Sequence, residues 1–519
     1  MRTRPRLFRV LFALILVSIL AVPALAQPPT APAAQSRARP QASAPQPQTP
    51  EDRLVAAMHA VSSNTILDWV KEMVSEKYEG RLTGTPSYDA SAAWAANLFK
   101  SWGFKPAGDT GTYYQKFPNP YTLVRPGAEL TLHLSVPGGG TVLKSYVFED
   151  EYYPGSTSDS VSATAEVVYV GFGITAPELG YDDYKGVDVK GKFVAFEPEA
   201  PMGPDPDAEL FKKWRPYSFH DYKMKNAVDH GAIGVVYDYF IVNPNCAFIK
   251  GFQWAAVNRV VMDDLFAGTG KKHTDVVAGI RKTLQPASLP LGKTMTMKNV
   301  TEHHPEGVGS NVMAWMEGSD PVLKDEVVIL GGHLDHLGLN PVLMPGAHDN
   351  ASAVAVALAA AEAMTKAKVP MKRSVLFILF GAEEQGVKGS EYYVAHPFIP
   401  NAKVKAFINL ESVGRGERIS VGSGRNYPEI YEVMERWNAK YVHRPIGANQ
   451  NANLARPRQD AAHFLWANIP TVSVGVSGAP PLPYASYHTT KDRWEILTPE
   501  IMEDLARVVF LSTVELANK

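Results

Sequence analysis

The residues best suited to chemistry gather around one stretch, 327–350, which reads VVILGGHLDHLGLNPVLMPGAHDN. An apolar run, VVIL, leads through two glycines to His333, with Asp335 two residues later and Asp349 just before an alanine-rich run. A buried strand has no structural need for a histidine and two carboxylates at its exit, and ligands of α/β proteins sit at the carboxyl ends of the strands. Later places add groups of the same kind: Glu383-Glu384 after VLFILF, Glu411 after FINL, and His488 in SYHTTKD. Singly, most have an ordinary reading as a hydrogen-bonded or solvated residue. Glu411 is harder to explain that way, because an unpaired carboxylate at the end of an apolar strand is costly. As an ordered set, His-x-Asp, Asp, Glu-Glu, Glu and His point to a metal centre.

The donor types indicate which metal. Imidazole nitrogen and carboxylate oxygen, without thiols, suit Zn²⁺. Two such ions about 3.5–4 Å apart need one bridging carboxylate, plus a histidine and a carboxylate for each ion. Asp349 is the expected bridge, His333 with Glu411 the set for one ion, and Glu384 with His488 the set for the other. Glu383 is then left beside the metals to act as general base on the bridging water. Asp335 is expected to orient the His333 imidazole from behind. His348, next to the bridge, has three readings: tuning Asp349, adding a nitrogen ligand, or a loop residue without a role.

Positioning these groups requires a sheet. Residues 312–317, 327–330, 375–380, 404–410 and 471–476 read as strands, and 351–366 and 427–442 as helices. A final helix starts with Thr498 as N-cap and Pro499 at its first position. Upstream, apolar residues between Leu54 and Val74 recur at helical spacing, and 88–102 reads as a helix turning Ala93, Trp94, Leu98, Phe99 and Trp102 inward. Between them GRLTGTP (80–86) is a loop by composition. The expected fold is therefore α/β, a mixed central sheet flanked by helices. A β-rich block with few catalytic-type clusters, 156–291, interrupts it as an insert, leaving 51–155 and 292–519 as the two parts of the catalytic domain.

Composition narrows the setting. Lys+Arg 51 against Asp+Glu 53 gives no electrostatic footprint for nucleic acid. The single cysteine, Cys246, excludes an intramolecular disulfide and a cysteine-rich zinc site, and reads as a small buried side chain. Arg2, Arg4, Arg6 and Arg9, an apolar stretch over 10–22 and Ala24-Leu25-Ala26 form an export signal, 1–26. Its apolar core is short for a bilayer span, which needs about 20 residues. The expected location is therefore periplasmic or secreted, in a bacterium. Residues 27–50, Pro/Ala/Gln-rich without a large apolar side chain, read as a disordered linker.

The motifs resemble those of the co-catalytic zinc exopeptidase family that includes bacterial secreted aminopeptidases and glutamate carboxypeptidase-like enzymes. EGRLTGTPSYDASAAWAANLFKSWGFKPAG is similar to the family's N-terminal segment. NVMAWMEGSDPVLKDEVVILGGHLDHLG, HDNASAVAVALAAAEAM, RSVLFILFGAEEQGVKGSEYYV and NLESVGR resemble its metal-binding core, and Asp460 and YHTTKD its C-terminal part. AEVVYVGFGITAPELGYDDYKGVDVKGKFVAF resembles the protease-associated domain that many members carry. The resemblance implies zinc on His333, Asp349, Glu384, Glu411 and His488, with Glu383 as base and Tyr487 beside the reacting carbonyl. Glu411 departs from the commoner Asp, and His348 from a frequent acidic residue.

Hydrolysis of peptides from a free amino terminus is the expected activity. A carboxypeptidase of the same family would need cations for the substrate carboxylate, for which Arg415, Arg425, Arg444, Arg456 and Arg458 are candidates. A single-zinc acyltransferase that cyclises N-terminal glutamine needs only one ion, and an inactive binding homologue has no reason to keep base and ligands together.

Overall fold

The computed structural model describes residues 49–136, 138–202, 209–450, 458–483 and 485–519. The expected export signal and nearly all of the linker lie outside the described residues. The first described element is the helix Pro50–His59, where Thr49 caps the Asp52 amide and Asp52 caps Thr49 in return.

Nine strands form the first sheet. Its middle runs Ser374–Phe380, Val327–His333, Val404–Leu410 and Thr471–Ser477, four parallel neighbours. Val308–Met316 joins one side antiparallel, and Arg418–Gly422 the other. After Ser374 the strand, VLFILF, is apolar throughout because both its faces are covered, as in other parallel sheets. Val375, Phe377 and Leu379 turn to one face, packing with the helices Ser352–Ala367 and Pro499–Asn518. Leu376, Ile378 and Phe380 turn to the other, with Tyr393 and Phe464. The helix Ser352–Ala367 is buried on nearly every side, which its alanines and short apolar residues permit.

The expected helices and strands of this half are present, with shifted edges. The helix expected over 427–442 is Pro428–Trp437 followed by a separate π-helical turn, Asn438–Val442. The helix Pro86–Ser101 is one whose face was misjudged. Tyr88, Ser91, Ala92, Ala95, Ala96 and Phe99 are buried, while Ala93 and Trp94 are only half-buried. Small residues let the helix approach the sheet closely, and the indole lies at the edge of the contact.

A second sheet of eight strands takes Ser162–Tyr169, Phe193–Phe196, Gly234–Tyr237 and Gln253–Val257 as parallel neighbours. It reaches beyond the expected insert on both sides, because Glu129–Ser135, Thr141–Ser145 and Tyr152–Pro154 belong to it and Leu289–Lys298 crosses position 291. Helices such as His220–Asp229 and Arg259–Phe266 flank it, so this part is itself a layered α/β structure.

Candidate active site

His333 ends its strand, Glu383 and Glu384 follow the neighbouring strand on one side, and Glu411 follows the neighbour on the other. The sheet alone therefore brings four of the predicted residues to one edge. Two glycines before His333 allow this crowding: a Cβ on Gly332 would stand 2.4 Å from the Leu410 carbonyl oxygen. Asp349 arrives from the turn before the buried helix, and His488 from the late loop.

These side chains converge. Asp349 lies between the two histidines, with Oδ1 3.2 Å from His333 Nε2 and Oδ2 3.3 Å from His488 Nε2. Glu411 Oε1 is 3.3 Å from His333 Nε2, and Glu384 Oε2 is 3.0 Å from His488 Nε2. Glu383 Oε2 stands further off, 3.9 Å from His333 Nε2. The pairing inferred from residue types, His333 with Glu411 and His488 with Glu384 across Asp349, is the pairing of the geometry. His348 makes none of these contacts. Its Nδ1 accepts the Gly414 amide at 3.2 Å, so burial, which lowers its pKa, leaves a neutral ring with the proton on Nε2.

Asp335 does more than was expected of it. Its carboxylate accepts the Glu383 amide at 3.2 Å and the Glu384 amide at 3.3 Å. His333 Nδ1 instead lies 3.2 Å from the Asp335 main-chain carbonyl and 3.6 Å from its carboxylate. One residue thus ties the imidazole of one strand to the Glu-Glu turn of the next. Tyr487 is 55% exposed at the rim, its ring stacked on His488 with centroids 3.8 Å apart.

Three residues were missed. His336 is buried, and its Nδ1 lies 2.8 Å from Glu384 Oε1. Asp492 accepts the amides of His348 and Asp349 at 2.8 and 3.0 Å. Arg81, fully buried in the GRLTGTP loop, donates to the carbonyls of Leu334, Met73, Pro345 and Gly346 at 2.8–3.0 Å. It thereby ties down both ends of the strap between His333 and Asp349. Burial brings Arg81 down to about 10, so it keeps its charge at neutral pH. Adjacency to Asp335 in HLDH was the available signal for His336. A buried arginine satisfied by main-chain oxygens leaves none.

The donors fit zinc. His488 Nε2 and Glu411 Oε2 are buried without a hydrogen-bond partner, although carboxylate oxygens surround the former. Burial opposes charge on both imidazoles, yet the surrounding carboxylates outweigh it and raise His333 and His488 well above the usual histidine range. Burial also opposes ionisation of Asp349, but the two histidines outweigh it and hold this carboxyl well below its usual range. Glu383 goes the other way, raised by burial with Glu384, Glu411 and Asp460 nearby. His333, Asp349 and Glu411, or His336, Asp349 and Glu384, bring ligand atoms within reach of a single ion.

A cavity of about 370 Å³ opens over this cluster. Glu383, Glu384, Glu411, Tyr487 and His488 line it from the first sheet, and Glu199, Tyr239 and Asn243 from the second. Of the arginines considered as carboxylate binders, Arg458 lines the cavity and pairs with Glu199 at 2.8 Å. Arg444 pairs with Asp504, and Arg415 donates to the Pro480 carbonyl. Arg456 lies outside the described residues.

Known proteins resemble this chain in sequence and in fold. An aminopeptidase of Pseudomonas aeruginosa is 26% identical over 421 residues, covering 79% of this chain and 69% of that protein. Among solved structures, an aminopeptidase from Aneurinibacillus sp. strain AM-1 superimposes with a TM-score of 0.60 at 20% identity, covering 88% of this chain and 95% of the other. The zinc aminopeptidase of Bacillus subtilis gives 0.58 at 19%, with the same coverage. These two likenesses establish the fold. Residues 311–513, which carry every predicted ligand, match the profile described as Peptidase family M28. Over these residues the chain is similar to peptidase family M28.

Proposed function

We propose that this chain is a zinc-dependent aminopeptidase working with two ions. The observation that carries the reading is Asp349, whose two oxygens face the Nε2 atoms of His333 and His488 while Glu383 stands back in the open cavity. His333 with Glu411 would hold one ion, Glu384 with His488 the other, and Asp349 both. Bound there, zinc supplies Lewis acidity that polarises the scissile carbonyl and makes water a nucleophile at neutral pH.

Glu383 does the proton work. Its carboxylate takes a proton from the attacking water and returns it to the leaving nitrogen. Asp335 holds the main chain of Glu383 and Glu384, which fixes where that carboxylate stands. Tyr487, at the rim beside His488, can donate its hydroxyl to the carbonyl oxygen as it becomes tetrahedral. Among the described residues, the cavity lining holds one guanidinium, Arg458, and it is paired with Glu199. That supports recognition of a substrate amino end over a carboxylate end.

The test is zinc per chain, paired with hydrolysis of free and N-acetylated peptides. About two ions, with cleavage lost on acetylation, is the expected result. Cleavage that survives acetylation would overturn the aminopeptidase reading. Glu383→Ala should keep its zinc and lose roughly 10²–10⁴-fold in kcat; loss of zinc in this variant would make Glu383 a ligand.

We also propose that residues 1–26 direct export and are removed, and that the second sheet is a protease-associated domain. Arg2 to Arg9 followed by an apolar run and Ala-Leu-Ala supports the first. N-terminal sequencing of protein purified from the periplasm should begin at Gln27.

A further inference from the structure

His488 has a partner that the first sheet does not supply. Its Nδ1 lies 2.8 Å from the main-chain carbonyl oxygen of Val242, and its own carbonyl accepts the Val242 amide at 3.2 Å. One residue of the segment following the second-sheet strand Gly234–Tyr237 thus grips both the ring and the backbone of His488. Both residues are buried, His488 5% and Val242 1% exposed, so water does not compete for these bonds. His488 also sits at φ +55°, a left-handed conformation that a non-glycine residue keeps only when its surroundings enforce it.

We propose that the segment 239–245 is a structural part of the metal site, acting as a clamp that sets the tautomer and the aim of His488. A carbonyl oxygen can only accept, so Val242 requires the proton on Nδ1 and leaves the Nε2 lone pair facing Asp349 and Glu384. Val242 is therefore a positioning residue for the ion held by His488, and the second sheet takes part in zinc binding without supplying a ligand. The shape of the clamp depends on Asn243, a 6% exposed residue whose Oδ1 accepts the Asn245 amide at 2.8 Å. The inference rests on the two-ion reading and adds that the two ions depend differently on the second sheet.

The experiment titrates zinc into the metal-free full chain and follows the affinity of each ion. Val242→Pro removes the amide bonded to His488, and Asn243→Ala loosens the segment while keeping every main-chain donor. Either should weaken one of the two ions roughly 10–100-fold, the usual cost of losing a group that orients a metal ligand, and leave the other unchanged. A merely structural role would weaken both together or neither. Hydrogen–deuterium exchange of the unaltered protein gives a readout that needs no variant: filling the second position should slow exchange of the amides of 239–245. Two ions bound with unchanged affinities in both variants, or exchange at 239–245 indifferent to the second ion, overturns the clamp and leaves the two-ion site standing. A chain that binds only one ion overturns both.

Discussion

His333 and His488 present the same atom, Nε2, to opposite oxygens of Asp349 at 3.2 and 3.3 Å, yet they are held by different parts of the molecule. His333 is the last residue of a central strand and leans on Asp335, two residues away in sequence. Glu411, its carboxylate neighbour, ends the adjacent strand. That half of the site is set by strand pairing. His488 is delivered by a loop and oriented by Val242, 246 residues away, while its neighbour Glu384 is steadied by His336. That half is set by tertiary contacts. Of two similar sets of donors, one is as firm as the sheet, and the other is as firm as the packing between loop and second sheet.

The largest effect should come from the residue common to both halves. Asp349→Ala should take zinc content from about two ions per chain to nearly none, with hydrolysis lost, because neither ion keeps its bridge. His333→Ala and His488→Ala should each remove about one ion. Metal analysis of the three variants checks this. If either histidine variant lost both ions, the halves would be one cooperative unit and the comparison would fail.

Breaking the firm half by another route tests why it is firm. Arg81→Met takes a donor from four main-chain carbonyls of the strap and its neighbours in a dry interior, and of these Gly346 keeps another, the Ala351 amide. It should cost more than about 3 kcal/mol of stability. Arg444→Met, at a half-buried pair with Asp504, should cost only about 1 kcal/mol or less. Denaturant unfolding of the metal-free proteins separates these outcomes. On the softer half, His336→Gln should weaken one ion roughly 10–100-fold, since Glu384 loses the group beside its Oε1. Zinc competition with a chelator reads this directly, and equal loss at both ions would place His336 in the common framework.

The same division explains what was legible in the sequence. The apolar strands, their order and the groups at their exits could be read because each strand writes its burial into a local pattern and delivers its ligand at a fixed end. His333, Glu383, Glu384 and Glu411 follow from that, and Asp349 from its place before an alanine-rich helix. The pairing of Glu411 with His333 and of Glu384 with His488 followed from what two ions need. The inward face of the helix Pro86–Ser101 was missed because a hydrophobicity pattern favours Trp94 over the alanines that in fact make the contact. Arg81, Asp492 and the Val242 clamp were invisible for a stronger reason. Their partners are main-chain atoms far away in sequence, and a carbonyl or amide has no residue type to recognise. The limits of the second sheet were missed likewise, since only its strand partners show that Glu129–Ser135 belongs with Leu289–Lys298.

The smallest predicted effect asks whether the second sheet has a stability of its own to lend. At the ends of two of its parallel strands, Glu197 and Asp238 meet His273, whose Nε2 lies 2.6 Å from Glu197 Oε1 and 3.8 Å from Asp238 Oδ2. Burial, and behind it the Glu197 carboxylate, push Asp238 up to about 7 against the pull of His273. In the unfolded chain the same carboxyl titrates at its ordinary value of 3.8. Between these values the folded state holds a proton that the unfolded state has released. The contribution of Asp238 is therefore fully present below about pH 4, is lost as pH rises, and is gone once pH passes 7. Asparagine cannot ionise. Asp238→Asn should match the unaltered protein below about pH 4 and exceed it by a few degrees in Tm above pH 7, the difference growing between. Calorimetry of the metal-free chain across that range checks the sign. If His488 draws its rigidity from this sheet, the variant should also hold the more weakly bound zinc ion slightly tighter at pH 8 than at pH 6, relative to the unaltered protein. A Tm difference that is flat with pH would mean that Glu197 and Asp238 do not share their charge as their geometry implies, and would remove this sheet's pH response from the comparison.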